Sequence, residues 1–380
     1  MIVHVITNFT ARSGAEVMLC RLLRVAGPER VVVAPVMEVS DDLRGLAGNP
    51  AVVFRPQHGR SVFGMVRAVF GLARLIRAEK PDAVVCWMYH AMVVGGLATR
   101  LAGLGTPLVW NVRQSLDDRG SLTVSTRAAV WLTRLLSRLP DGIIFNARRA
   151  EEQHRTYGYA ARRSAVIPNG FDLPELRERP AAPARVFGIA GRFHPQKDHE
   201  TFFRAAGLAF ARNPDLRFAA AGAGMDWSNP EVAALVDAAG LPRDRVDLAG
   251  PVTDMAAWYR RIDALVLSSR TEGFPNVVAE AMSHGRPVVA TDVGDAAAIV
   301  GGTGFVVAPR DPAALAGALV EMAALSPAAY ADRAAAARRR IEDEYALPAI
   351  ARRYDEFLRQ CRAGRAPAPL ATLSEGNGKP

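Results

Sequence analysis

Glu272 and Glu280 are separated by seven residues, and Gly273, Phe274, Pro275, Asn276 and Val277 lie between them where a loop gives way to an apolar run. A loop that opens a helix leaves backbone amides facing outward, and the helix dipole there favours a phosphate or a sugar oxygen. Asn276 reads as the N-cap and Gly285 as the residue that ends the helix. Glu272, in the loop, suits hydrogen bonds from sugar hydroxyls. Glu280, read on the first helical turn, suits a ribose diol, because a carboxylate accepts two donors well. The same spacing also fits a plain strand–loop–helix junction with two solvated acids. A second constellation is Gly191-Arg192-Phe193-His194-Pro195-Gln196-Lys197-Asp198. Arg192 and Lys197 share a loop at the expected C-terminal end of a strand, where ligands of parallel sheets bind. Two cations there suit a diphosphate. Lys197 stands out further as one of only three lysines, with Lys80 and Lys379, among 47 Lys and Arg residues. The plainer readings are a solvated basic loop, with Asp198 as a helix cap.

Other groups carry less. Gly222-Ala223-Gly224 after a strand could abut a nucleotide, but a lone G-x-G is mostly a tight turn. His90 follows an expected strand, yet a single histidine in apolar surroundings is usually structural. The histidines form no metal-ligand spacing, and no D-x-D occurs in the chain. The adjacent acids Asp41-Asp42 and Asp117-Asp118 read as solvated loop residues.

The elements that must position these groups alternate between short β-branched runs and helical stretches, the pattern of parallel sheets covered on both faces. In the first half, strands are expected over 2–7, 31–35, 51–54, 83–87, 108–112, 142–145 and 166–168, with helices over 15–25, 62–78, 92–102, 126–137 and 148–157. In the second half, strands are expected over 185–190, 216–221, 246–248, 264–268, 287–291 and 304–307, with helices over 199–212, 231–239, 255–260, 277–284 and 313–324. The stretch 172–184, rich in Pro, Ala and charge, reads as a linker. Two consecutive domains follow, over 1–171 and 185–345. A helix over 346–362 is expected to return to the first domain, and the tail 363–380 to be disordered.

Composition agrees with this plan. A chain of 380 residues that is 50% hydrophobic and 22% charged can bury a core in each half, which excludes a disordered chain. Cys20, Cys86 and Cys361 are far apart, form no disulfide framework and point to a reducing compartment. A formal charge of +9 favours anionic partners such as nucleotides, a phospholipid surface or nucleic acid. No signal peptide and no stretch long enough to span a membrane are read from the sequence. Arg60, Arg67, Arg74 and Arg77 recur on one helical face beside Val62, Phe63, Val66, Val69, Phe70 and Ile76, and Arg127, Arg134 and Arg138 make a similar stripe beside Trp131 and Leu135. Such basic, apolar helices suit an anionic membrane surface, and equally an ordinary core-facing helix with solvated arginines.

Taken together, Gly191-Arg192 to Lys197, the segment Glu272-Gly273-Phe274-Pro275-Asn276 to Glu280, and His284-Gly285-Arg286-Pro287-Val288-Val289-Ala290-Thr291 resemble the retaining GT-B glycosyltransferases of the family-4 type. The likeness is strong over 185–320 and continues more weakly through the first half and Ile167-Pro168-Asn169-Gly170-Phe171-Asp172. It implies an α/β fold with two Rossmann-like, doubly wound domains facing each other across a cleft. It also implies transfer of a sugar, with retention, from a nucleotide-diphosphate sugar, expected to be a UDP-sugar, to a glycan or lipid-linked acceptor. No metal and no cofactor are expected. Residue by residue, Arg192 and Lys197 would contact the diphosphate, Glu272 would lie near the transferred sugar, and Glu280 would hold the ribose. Backbone amides over Phe274, Pro275, Asn276 and Val277, and the backbone at Gly191 and Gly273, would face sugar and phosphate. Gly250 would lie by the base. Gly14, in the loop 8–16, would approach the donor phosphate, although this chain has Ser13-Gly14-Ala15 where relatives often have two glycines. His90 falls where the family often has a sugar-proximal histidine. The Asn169-Gly170 turn reads as a hinge, with Phe171 where Val or Ile is usual. The setting implied is synthesis of cell-surface polysaccharide or glycolipid, in the cytoplasm or at the inner face of the membrane. A non-hydrolysing nucleotide-sugar epimerase is the rival within the fold; donor incubated alone would yield an epimer. A basic nucleic-acid-binding protein is the rival of another class, supported only by charge, since no nucleic-acid module is recognisable. A dehydrogenase is disfavoured because the loop 8–16 lacks G-x-G-x-x-G.

Overall fold

The computed structural model describes residues 1–117, 120, 122–176 and 182–364. Asp118, the middle of the expected linker and all of the expected tail beyond Gly364 lie outside these. The chain divides into two units, one comprising Met1–Gly170 with the segment from Leu347 onward, the other Phe171–Ala346.

The first unit runs β1 (Ile2–Ile6), α1 (Gly14–Val25), β2 (Val31–Pro35), α2 (Asp41–Ala47), β3 (Val52–Phe54), α3 (Val62–Glu79), β4 (Ala83–Trp87), α4 (Tyr89–Ala102), β5 (Leu108–Val112), α5 (Val124–Leu135), β6 (Gly142–Phe145), α6 (Arg148–Thr156) and β7 (Ser164–Val166). Its seven strands lie in the order β3-β2-β1-β4-β5-β6-β7 and every pairing is parallel. Strands buried on both faces read as continuous apolar runs, as β2 (VVVAP) and β4 (AVVCW) do. Right-handed crossovers then place α1 and α2 on one face and α3 to α6 on the other, because the chain moves outward from β1 in one direction and later in the opposite one.

The second unit runs β8 (Val186–Ala190), α7 (His199–Arg212), β9 (Arg217–Ala221), α8 (Pro230–Ala238), β10 (Val246–Leu248), α9 (Met255–Arg261), β11 (Ala264–Leu267), α10 (Asn276–Ser283), β12 (Val288–Thr291), α11 (Ala296–Val300), β13 (Phe305–Val307), α12 (Pro312–Ala324) and α13 (Pro327–Glu344). Its strands lie in the order β10-β9-β8-β11-β12-β13, again all parallel. The core joins Phe187, Phe202, Phe203 and Phe218 to Leu315, Leu319 and Met322. The last helix, α14 (Leu347–Ala363), packs on the first unit against α1 and β5. Gly142 on β6 allows this: a Cβ there would come within 2.6 Å of the Phe357 ring.

Several local expectations are corrected. Asp41 and Asp42 open α2 as its first two residues, with the Ser40 side chain accepting from the Leu43 amide, so they complement the helix dipole and are not loop acids. The strand expected over 166–168 lies at Ser164–Val166, paired with β6. Helix α4 begins at Tyr89, three residues early, which moves His90 from a loop into the first helical turn. Helix α13 was not expected: only Ala337 and Ile341 are buried in its 18 residues, so its sequence carries little apolar periodicity. Among the described residues no single helix is long and apolar enough to cross a membrane.

Candidate functional site

In open parallel sheets, ligands bind outside the carboxyl ends of the strands at the point where strand order reverses. The second sheet reverses between β8 and β11. The loop after β8 carries Gly191, Arg192 and Lys197; the loop after β11 carries Glu272 and leads into α10. The two loops are joined. Lys197 Nζ donates to Glu272 Oε1 at 2.6 Å, and Ser269 Oγ donates to the same oxygen at 2.8 Å. Gln196 Nε2 donates to the Thr271 carbonyl at 2.8 Å, the Arg270 amide to the Gln196 carbonyl at 2.9 Å, and Ser268 Oγ to the Lys197 carbonyl at 2.8 Å. Arg270 Nη2 reaches Asp198 Oδ1 at 2.8 Å. Burial pushes the Asp198 carboxyl up, but hydrogen bonds from Arg270 and Thr201 outweigh it and hold the group below its ordinary value. Thr291 Oγ1, at the end of β12, donates to the Ser269 carbonyl at 2.8 Å and fixes the loop from behind.

This clamp holds the groups singled out in the sequence, with a difference in state. Lys197 is ion-paired within the site, while Arg192 is exposed and makes no ion pair among the described residues. Glu272 is 8% exposed, and only its Oε1 accepts hydrogen bonds among the described residues. The Lys197 stem lies 3.5 Å from where a Cβ on Gly191 would stand. Gly222 is closer still. At φ 147° its added Cβ would come 2.1 Å from the Gly191 carbonyl oxygen, and its amide donates to the Gly250 carbonyl at 2.8 Å. The G-x-G turn after β9 therefore joins the Gly191 and Gly250 loops into one glycine-lined edge.

The start of α10 departs from expectation. Pro275 occupies the capping position and Asn276 is the first helical residue, so no side chain caps this helix. Gly285, at φ 64°, ends it as expected. Glu280 sits on the second turn, not the first, and accepts from the Tyr259 hydroxyl at Oε2, 3.2 Å away. Phe274 turns inward: its ring stacks on Phe171 at 6.1 Å and packs near Tyr345, which leaves its backbone, not its side chain, to the loop surface. Phe171 in place of a smaller residue is thus half of an aromatic pair.

The first sheet reverses between β1 and β4. Gly14 is the exposed first residue of α1, after β1, and Ser13, at the capping position, makes no side-chain cap. His90 follows β4, half-buried, its pKa lowered by burial against a backbone hydrogen bond at Ser125. The Ala91 amide donates to Thr7 Oγ1 at 3.3 Å, which ties the two strand ends together. Met88, between β4 and α4, adopts φ 68° and ψ 159°, a region essentially reserved for glycine, which stores backbone strain beside His90.

Sequence reasoning missed the clamp residues Gln196, Ser268, Ser269, Arg270 and Thr291, together with Tyr259 and Gly294. The signal existed for some: Ser268-Ser269-Arg270-Thr271 is a polar run at the end of a buried strand. Gly294 had none, yet at φ 56° its Cβ would come 2.3 Å from the Gly273 carbonyl oxygen. Arg113, just past β5, was also missed. Nη1 donates to the Tyr354 hydroxyl at 2.9 Å, the guanidinium lies 5.6 Å from the Trp87 ring centre, and Nε and Nη2 are out of solvent without a hydrogen-bond partner among the described residues. Among the described residues no group of three or more His, Cys, Asp or Glu side chains could hold a metal ion.

Comparison with known proteins bears on the family and the fold. Residues 6–175 match the family described as Glycosyltransferase Family 4, and residues 184–324 match Glycosyl transferases group 1. A glycogen synthase of Mycobacterium tuberculosis (strain ATCC 25618 / H37Rv) is 30% identical over 331 residues, 82% of this chain and 77% of that protein. A D-inositol 3-phosphate glycosyltransferase of Catenulispora acidiphila is 33% identical over 195 residues, 45% of each chain. Among solved structures, Anabaena HepE in complex with UDP superposes with a TM-score of 0.80 at 22% identity, covering 95% of this chain and 100% of that one, and the same protein was solved with UDP-glucose. The chain belongs to the group 1, family-4 type glycosyltransferases. It is a glycosyltransferase with the two-Rossmann-domain GT-B fold.

Proposed function

We propose that the chain moves a sugar, with retention and without a metal ion, from a UDP-sugar to a hydroxyl of a glycan or lipid-linked acceptor, in the synthesis of a cell-surface polysaccharide or glycolipid. The observation that carries the donor site is the contact between Lys197 and Glu272 at the reversal point of the second sheet, with Arg192 exposed in the same loop. A departing diphosphate gains negative charge as the glycosidic bond breaks. Preorganised cations and amides that meet that charge lower the barrier without having to reorganise. Lys197 is held ready by Glu272 and is passed to the diphosphate as it arrives. Arg192 adds a second charge, and the uncapped start of α10 adds amides. Glu272, freed from Lys197, turns to the sugar hydroxyls. Glu280, oriented by Tyr259, takes the ribose diol. UDP and UDP-glucose in the Anabaena structures support a uridine diphosphate donor.

Gly14 and His90 stand at the reversal point of the first sheet. A screen of nucleotide release across common nucleotide sugars, with and without oligosaccharide or lipid-linked acceptors, tests the reading. UDP release that needs an acceptor, a product with the donor's anomeric configuration and activity that survives EDTA are expected. Full loss with EDTA, restored by a divalent cation, would overturn the metal-independent mechanism. An inverted product would overturn retention.

A further inference from the structure

The outer face of the first unit carries a surface that the transfer reaction does not explain. Of the 16 large apolar side chains exposed among the described residues, ten belong to α3, to α5 or to α4 and the turn after it: Val62, Phe63, Val66, Phe70, Leu97, Leu101, Leu104, Val124, Trp131 and Leu135. Val62 and Phe63 are 79% exposed. These helices cover one face of the sheet, with α4 packed against both α3 and α5. On α3 the exposed positions Phe63, Val66, Arg67, Phe70, Arg74 and Arg77 follow one another at spacings of three and four, so they form a single stripe. On α5, Val124, Arg127, Trp131, Arg134, Leu135 and, just past its end, Arg138 do the same.

Charge on this surface has one sign. Glu79 is the only carboxylate in α3, α4 or α5, and it is paired with Arg30. Arg67, Arg74, Arg127 and Arg138 make no ion pair among the described residues. Arg60 drops out of the expected stripe, because it precedes the helix and pairs with Glu38. Arg77 is turned to the Ala102 carbonyl at 3.1 Å. Apolar side chains interleaved with unpaired arginines match the boundary between headgroups and acyl chains of an anionic bilayer, where the rings enter the lipid and the guanidinium groups stay with the phosphates.

We infer that the α3–α4–α5 face docks on an anionic membrane surface, lying in the interface without spanning it. A second copy of the chain fits poorly, since a symmetric contact through this face would set arginine against arginine. The inference is independent of the donor-site reading and needs no enzyme activity to test.

Full-length protein is sedimented with vesicles of phosphatidylcholine alone and with vesicles of equimolar phosphatidylcholine and phosphatidylglycerol. Binding is expected only to the second, fading as salt is raised. Two variants separate the contributions: Arg67→Glu with Arg74→Glu, and Phe63→Ser with Phe70→Ser. All four positions are exposed, so both variants should fold. Each should lose about tenfold or more in vesicle affinity, with nucleotide release from soluble substrates unchanged. Trp131 emission should shift to the blue on adding anionic vesicles, and the Trp131→Phe variant should lack that shift. Equal binding to both vesicle types, no binding to either, or a solution dimer that the phenylalanine variant dissolves would overturn the inference. The last outcome would assign the face to a second copy.

Discussion

The two units solve different problems with the same architecture. Both are doubly wound parallel sheets, and both place sequence-identified residues where strand order reverses. At the reversal in the second unit, polar groups are paired and clamped: Lys197 to Glu272, Arg270 to Asp198, Gln196 to Thr271. At the reversal in the first unit the devices are an exposed glycine, a half-buried histidine and a strained methionine backbone. The surfaces differ as well. Among the described residues, the second unit scatters few large apolar side chains outward, whereas the first gathers ten of them beside arginines that make no ion pair. A clamped polar loop suits a ligand of fixed shape, whereas a broad apolar and basic face suits a large surface.

The largest expected effect on turnover lies in the clamp. Lys197→Ala and Arg192→Ala should each lower kcat/KM by about a hundredfold, or about 3 kcal/mol, the usual cost of losing a charged contact to the developing leaving group. Steady-state nucleotide release with the best donor measures this, and thermal melting checks that the fold persists. Near-normal rates in both variants would remove the loop from the diphosphate site and erase the contrast between the units.

Acid should break the first unit before the second. Burial lowers the pKa of His4, His154 and His199 to about 4. His4 Nδ1 accepts from Trp87 Nε1 at 3.1 Å, and His154 lies 2.9 Å from the Tyr89 hydroxyl and 2.7 Å from the Ala150 carbonyl, partners that suit a neutral ring. The unfolded chain takes up protons first as pH falls through about 6.5, so the stability these rings confer is complete above that value and is lost down to about 4. Each contributes a slope of about 1.4 kcal/mol per pH unit within that window. His90 in the first unit and His284 in the second are lowered as well, so three such histidines stand against two and the first unit's stability should fall the more steeply. Hydrogen exchange resolved by unit across this range would show it. Equal slopes would contradict the burial assigned to these rings.

Smaller still is the effect of Met88→Gly. Relief of a glycine-only conformation is worth about 1–3 kcal/mol, less the 0.5–1 kcal/mol or so that glycine's freedom costs. The first unit should gain about 1 kcal/mol by denaturant unfolding. A loss would mean that the methionine side chain matters more than its backbone.

What was legible in the sequence follows the same division. The buried strands announced themselves as apolar runs, and β2, β4, β5 and β6 fall where the pattern placed them. Longer helices with an apolar face were visible for the same reason; α13 and α2, with few buried residues, and α11, only five residues long, were not. In the donor loops, residue types and spacing exposed Lys197, Glu272 and Glu280 because ionic chemistry needs those side chains. Ser269, which donates to Glu272, and Thr291 and Gln196, which fix the same loop, stayed hidden, since hydroxyls and amides at strand ends are common and their role depends on a fold that brings β8, β11 and β12 side by side. The ion pair between Lys197 and Glu272 was hidden too, for each had been read against a ligand and not against the other.

The central claim is that the Lys197–Glu272 contact is a donor site at rest and that Glu280 holds the nucleotide. Calorimetric titration of Glu272→Gln and Glu280→Gln with UDP tests it directly. UDP carries the ribose and the diphosphate but no transferred sugar. Glu280→Gln should therefore weaken UDP binding, because its amide cannot replace both acceptors. Glu272→Gln should bind UDP as tightly as the parent or more tightly, because Lys197 no longer has a carboxylate to leave, while kcat falls. Weaker UDP binding by Glu272→Gln, or unchanged binding by Glu280→Gln, would contradict the account.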